Sequence, residues 1–172
     1  MEVTFAPRNI LQIDDARICF RNFRGEGSMY NNEGDRNFAV VIPNEEIADA
    51  LKNDVNKFGV GWNVKIKAPR EEGDAPFMYL PVKVRYTDRS APAIYLTSGR
   101  NKVKLTEETI GMLDDIELAR VDLDIRPYDS ESRFGQHRTA YLKALYAVQN
   151  VDRFADRFAE EESPEEDEIP FK

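Results

Sequence analysis

Cysteine, histidine and tryptophan each occur once in this chain of 172 residues. With Cys19 alone there is no intrachain disulfide, and the spaced Cys and His patterns of common metal sites are missing, so a reducing compartment is expected. With His137 alone, most histidine-based catalytic sites and nearly all zinc sites are excluded. No stretch approaches about 18 apolar residues, and the start "MEVTFAPRNILQIDD" has no basic segment followed by an apolar run. A cytoplasmic protein without a membrane span is the expectation. No repeat of about 20–50 residues points to a solenoid or propeller. "GEG" at 25–27 lacks both the Gly-Lys-Ser/Thr ending and the following helix of a phosphate loop.

Charge is present but uneven. The formal net charge is −8, of which residues 160–172 carry −6 and residues 1–159 only −2. The acidic balance of the whole chain therefore misdescribes the body, which is close to neutral. The length suits one domain with a sizeable core, here 1–150, followed by an acidic tail, 151–172. Segment 150–159, "NVDRFADRFA", has the pattern of one or two helical turns, and "EEESPEEDE" after it has the composition of disorder.

Period-two alternation marks strands at 16–23, 37–43, 61–69, 77–88, 93–98, 101–105, 116–128 and 138–149. The last of these, "RTAYLKALYAVQ", contains good helix formers, but its alternation and its position after a loop favour a strand. One helix is expected after Asn44, which can cap it; Glu45 and Glu46 suit its first turn, and Ile47, Leu51 and Val55 share a face before Gly59. A short helix in 106–115 is suggested by Thr106 with Glu108 or Thr109. Gly-rich or polar loops fall at 21–36 and 126–138. These elements predict a mainly β fold: an OB-fold-like barrel of five or more strands with one or two short helices, or a sandwich of similar size.

Splitting each strand by parity separates a core face from an outer one. Met78, Leu80, Val82 and Val84 go inward, as do Trp62, Val64 and Ile66, Ile94 and Leu96, and Ile18 and Phe20. The outer faces collect Arg21, Phe23, Arg24, Lys65, Lys67, Arg70, Phe77, Tyr79, Lys83, Arg85 and Tyr95, with almost no carboxylates. Rings interleaved with cations suit a single strand of nucleic acid, whose bases stack on aromatics at ~1–3 kcal/mol each while Lys and Arg track phosphates. A duplex offers phosphates but no open base faces. The plainer alternative is that the rings are cross-strand partners and the lysines guard an edge.

Other chemistry is weaker. Asp114, Asp115, Glu117, Asp122 and Asp124 invite a metal-dependent nuclease, but no His or basic residue is placed near them to activate a nucleophile. Cys19, on a basic outer face, is a candidate for a lowered pKa, yet has no histidine to pair with. No cofactor is called for.

The tail ends in an apolar hook, Ile169, Pro170 and Phe171, behind its acids. "EEDEIPF" resembles the C-terminal tip of bacterial single-stranded DNA-binding proteins, a few acids followed by Ile-Pro-Phe. In that family the tip docks on replication, recombination and repair proteins. The resemblance implies Phe171 and Pro170 as anchors, Ile169 as a flanking contact, and Glu165, Glu166, Asp167 and Glu168 as steering charges for a basic rim. Here Lys172 follows the phenylalanine, which moves the terminal carboxylate one residue away. Within 16–148, "RNFRG", "EGDRNFAVVIP", "WNVKIKAPREEGD", "YLPVKV" and "AYLKALY" are similar to small phage-encoded single-stranded DNA binders. That likeness implies an OB-fold binder of a phage or prophage replication and recombination module.

The leading expectation is a non-enzymatic protein that binds single-stranded DNA without sequence specificity and recruits partners through its tail; a homo-oligomer is compatible with it. A protein-interaction adaptor or DNA-mimicking phage factor is the alternative, and a metal-dependent nuclease comes third.

Overall fold

The computed structural model describes residues 1–87 and 89–151. Expectations for the acidic tail beyond Val151, including its helical turns and the docking tip Glu165–Phe171, lie outside the described residues.

Among the described residues, ten strands join one mixed sheet. They are β1 (Glu2–Phe5), β2 (Leu11–Asp14), β3 (Ile18–Asn22), β4 (Arg36–Ile42), β5 (Lys65–Lys67), β6 (Phe77–Val84), β7 (Ala93–Ser98), β8 (Asn101–Leu105), β9 (Leu118–Ser132) and β10 (Gly135–Gln149). The main path runs β1-β2-β9-β10-β6-β4-β3, with β5 added on β6, β7 added on β10 and β8 on β7. Its two end strands do not meet: β1 pairs with β2 and β3 with β4. The sheet is therefore open, which corrects the expected OB-fold-like barrel. Instead of closing, it branches, because β10 pairs in parallel with β6 at 140–141 and with β7 at 144–148 along one edge while its other edge follows β9.

One face buries the core. Leu11, Ile13, Phe38, Val40, Leu80, Val82, Ile94, Leu96, Val121, Leu123, Ile125, Leu142 and Leu145 all lie there, and Trp62 joins them as its parity predicted. The helix α1 (Glu45–Asn53) starts as read: Asn44 Oδ1 accepts from the Ile47 amide at 2.9 Å, and Ala48 and Leu51 are buried. It ends before Val55, which is left half exposed. The chain returns tightly against that end, since a Cβ at Gly61 would stand 2.2 Å from the Lys52 carbonyl oxygen. The segment 106–115 forms a 3-10 turn, Ile110–Asp114, with Ile110 and Leu113 buried; here Thr109 Oγ1 accepts from the Thr106 amide at 2.7 Å.

Three further differences from the sequence reading have local causes. The β1–β2 hairpin has no signature in the alternation, because each strand has only four residues and little room to display a period. The expected loop 126–138 is mostly strand: β9 and β10 pair continuously to Ser132 and Gly135, and Arg133 and Phe134 alone make the turn. Backbone pairing needs no apolar side chains, so polar composition hid the hairpin. The strand expected to reach residue 88 stops at Val84.

Candidate nucleic-acid interface

The decisive irregularity is in β3. Cys19 pairs with Ala39 and Asn22 with Asn37, so Phe20 and Arg21 together face one residue of β4. This is a β-bulge, and Phe20 adopts φ +51°, a conformation uncommon for a bulky side chain. The extra residue reverses the expected parity. Phe20, assigned inward, is 59% exposed, and Phe23, assigned outward, is fully buried and stacked on Phe38 at 5.0 Å.

Phe20 consequently completes a ring cluster on the outer face of β6. It meets Phe77 at 6.0 Å and Tyr79 at 5.4 Å, both edge-on, while Phe77 and Tyr79 stack at 5.6 Å. Two cations of β5 flank the cluster, since Lys65 is registered with Tyr79 and Lys67 with Phe77, and directly opposed residues share a face. Ile66, expected inward, is 55% exposed because β5 is a three-residue edge segment.

Three grooves lie in series along this side. The first, about 280 Å³, is lined by Phe20, Lys67, Arg70 and Phe77 among others. A second of about 490 Å³ runs past Lys65, Pro81, Lys83 and Thr139. The third, about 690 Å³, shares Lys83 with the second and continues to Arg85 and Tyr141. Phe77 and Lys83, six residues apart on one strand, mark a span of about 20 Å. Beyond Lys83 the outer face continues across strands: Lys83 is registered with Tyr141, and Tyr141 with Arg126. The Arg126 guanidinium lies 4.9 Å over the Tyr141 ring, and Tyr128 meets that ring edge-on at 6.1 Å.

Of the residues singled out in the sequence, Lys65, Lys67, Arg70, Phe77, Tyr79, Lys83 and Arg85 come together on this track. Phe23 is in the core. Arg21 and Arg24 are occupied elsewhere: Arg21 donates to the carbonyls of Leu113 and Ile116, both at 2.7 Å, and Arg24 bonds Asp115 and the Gly111 carbonyl. Both arginines fasten the 3-10 turn to β3. Tyr95 shares the outer face but sits on β7 beside Tyr146, with the Lys102 ammonium 5.0 Å over its ring, and lines none of the three grooves. Sequence reading missed Phe20 and Tyr141 as surface contributors, and it placed Arg126 and Tyr128 in a loop able to close over a strand of nucleic acid, whereas both stand on β9. Parity applied to "AYLKALY" would have put Tyr141 outward; nothing local signals the bulge that exposes Phe20.

Of the carboxylates considered for metal chemistry, Asp114, Asp115 and Asp122 have structural partners. Asp114 accepts from the amides of Phe23 (2.7 Å) and Arg24 (3.1 Å), and Asp122 from the Asp15 amide (2.8 Å). Among the described residues there is no group of three or more His, Cys, Asp or Glu able to hold a metal. Burial raises the Cys19 thiol pKa despite Arg17, opposite to the lowering considered from sequence. No helix among the described residues is long and apolar enough to cross a membrane.

One charged side chain is buried among the described residues. Arg138, on β10, donates to Asp129 at 2.8 and 3.2 Å and to the Asp54 carbonyl at 3.0 Å. Its guanidinium lies 5.2 Å over the Trp62 ring, and the Trp62 indole donates to Asp54 Oδ2 at 2.8 Å. This knot ties the β9–β10 hairpin to the end of α1 and fixes the walls of the second groove. The hydrogen bond from Arg138 holds the Asp129 carboxyl below the ordinary carboxylate range, with Asn56 helping and burial opposing.

The same fold occurs in solved single-stranded DNA-binding proteins of bacteriophage Enc34. One, in complex with single-stranded DNA, is 15% identical with a TM-score of 0.52, covering 89% of this chain and 93% of that one. A second Enc34 structure is also 15% identical with a TM-score of 0.52, over 89% and 88% of the two chains. A C-terminal truncation is 12% identical with a TM-score of 0.50, over 87% and 91%. No curated protein sequence matches significantly. A family model described as a putative phage single-stranded DNA-binding domain matches residues 2–170, and a match of that extent leaves one conclusion. The chain belongs to the family of phage single-stranded DNA-binding domains.

Proposed function

We propose that this member of the family holds its strand along the grooved outer face, with bases stacking on Phe20, Phe77 and Tyr79. Lys65, Lys67, Arg70, Lys83 and Arg85 follow the phosphates, and the ring cluster flanked by Lys65 and Lys67 is the observation that carries this reading. Stacking on a ring tolerates any base, so binding is independent of sequence. Residues 1–150 form the binding domain. The acidic tail 151–172 recruits replication, recombination or repair proteins through Glu165, Glu166, Asp167, Glu168, Ile169, Pro170 and Phe171, a role supported by their likeness to the bacterial tip. The working compartment is the cytoplasm of a bacterial host, in keeping with a phage family and a single unpaired cysteine.

The test is a titration of labelled oligo(dT) and of a duplex of equal length at two salt concentrations. Tight, salt-sensitive binding to the single strand and weak binding to the duplex are expected. Equal affinity for both, or none at low salt, would refute the proposal.

A further inference from the structure

The third groove is walled by the β3–β4 connection, and that loop is built in detail. The Asn31 side-chain nitrogen shares its two N–H groups among three carbonyls, those of Glu26 (2.9 Å), Asn32 (3.1 Å) and Asp35 (3.0 Å), and its Oδ1 accepts from Asn37 of β4 at 2.8 Å. Asn22 donates to the Glu26 carbonyl and accepts from the Glu26 amide. Gly34 N–H reaches the Gly25 carbonyl at 2.8 Å, and a Cβ on Gly25, at φ +71°, would meet the Gly34 backbone at 3.1 Å.

Loops displaying large apolar side chains are ordinarily mobile or collapse onto the surface, whereas this one is cross-braced and still holds Met29 89% and Tyr30 94% exposed. Ordering a loop costs conformational entropy. Here that ordering is present before any ligand arrives, which is how a binding wall gains affinity.

The chemistry of the groove names its occupant. Tyr30 on the loop and Tyr141 on the sheet supply rings, while Arg36, Lys83 and Arg85 supply cations against the acids Asp35 and Glu107. Arg36 contacts Glu107 at 3.3 Å and lies 5.7 Å over the Tyr86 ring, yet its Nε and the Tyr86 hydroxyl have no hydrogen-bond partner among the described residues. Those two atoms are buried, so the chemistry of the groove rests on rings beside excess positive charge, which fit a unit that is both flat and anionic. We infer that the groove seats a nucleotide of the bound strand, with Tyr30 as a preformed ring wall against its base and Lys83 and Arg85 on the adjoining phosphates. This seat rests on the proposed single-stranded DNA binding and extends it to a loop that the stacking cluster does not use.

The experiment compares full-length wild type with Tyr30→Ala, Tyr30→Phe and Tyr79→Ala, each titrated with oligo(dT) and with an abasic oligonucleotide of the same length. Because Tyr30 is almost wholly exposed, its truncation leaves the fold intact. Tyr30→Ala is expected to weaken oligo(dT) binding roughly 5- to 100-fold, the loss of one stacking partner. Tyr30→Phe should bind as wild type, and the Tyr30→Ala loss should vanish on the abasic strand. If Tyr30→Ala binds oligo(dT) as wild type while Tyr79→Ala is weakened, the seat is wrong and the stacking cluster stands. An equal Tyr30→Ala loss on both strands overturns the base contact. Absence of binding by wild type would instead remove the underlying reading.

Discussion

The Phe20 ring meets the Tyr79 ring edge-on, with centroids 5.4 Å apart and planes at 78°. A bulge one residue long produces this contact, and it makes Phe20 a surface residue while committing Phe23, three positions later, to the core. The two phenylalanines therefore separate binding from stability. Phe20→Ala is expected to leave the denaturation midpoint nearly unchanged and to weaken oligo(dT) binding about 5- to 100-fold. Phe23→Ala should cost about 3–5 kcal/mol of stability. Chemical denaturation and anisotropy titration of both variants check the pair.

Five cations on the track fix a salt dependence. If Lys65, Lys67, Arg70, Lys83 and Arg85 each neutralise one phosphate, the plot of log K against log salt has a slope of about −3.5, from roughly −0.7 per contact on a single strand. Lys83→Ala should make the slope shallower by about 0.7. Arg24→Ala, which removes a residue bound to Asp115, should leave it unaltered.

Asp129 and Arg138 set an acid-sensitive contribution to stability. Because the folded carboxyl titrates below the ordinary carboxylate range, its stabilisation is fully present above that range and is lost as pH falls through the lowered folded value. Asp129→Asn should lower stability by about 1.5–3 kcal/mol near neutral pH, the worth of hydrogen bonds to a charged group. Midpoints measured from neutral to strongly acidic pH should show the gap between wild type and variant closing only at the acid end.

The proposed division of labour predicts that partner capture and DNA binding can be separated. Removing residues 160–172 takes away a net charge of −6, so single-stranded DNA binding is expected to be unchanged or tighter at low salt, while capture of host replication proteins is lost. Weaker DNA binding by the truncated chain would contradict this division of labour.

Much of the grooved outer face was legible because period-two alternation survives wherever a strand is regular. Phe77, Tyr79, Lys83 and Arg85 follow from the parity of β6, and Lys65 and Lys67 from that of their own segment. Where the alternation broke, so did the reading: Phe20 and Phe23 exchanged faces across the bulge, and Arg21 and Arg24 proved to be fasteners for a turn some 90 residues away in sequence.

The sequence by itself determined the β content, the capped helix, the inward set around Leu80 and Val82, the near-neutral body and the acidic end. Local periodicity and composition carry these, since each depends on residues close in the chain. Tertiary structure alone decided that the sheet stays open, that β10 divides one edge between β6 and β7, and that Phe20 joins Tyr79. Strand order and bulges are set by which distant backbones find each other's hydrogen bonds, and no single segment encodes that choice.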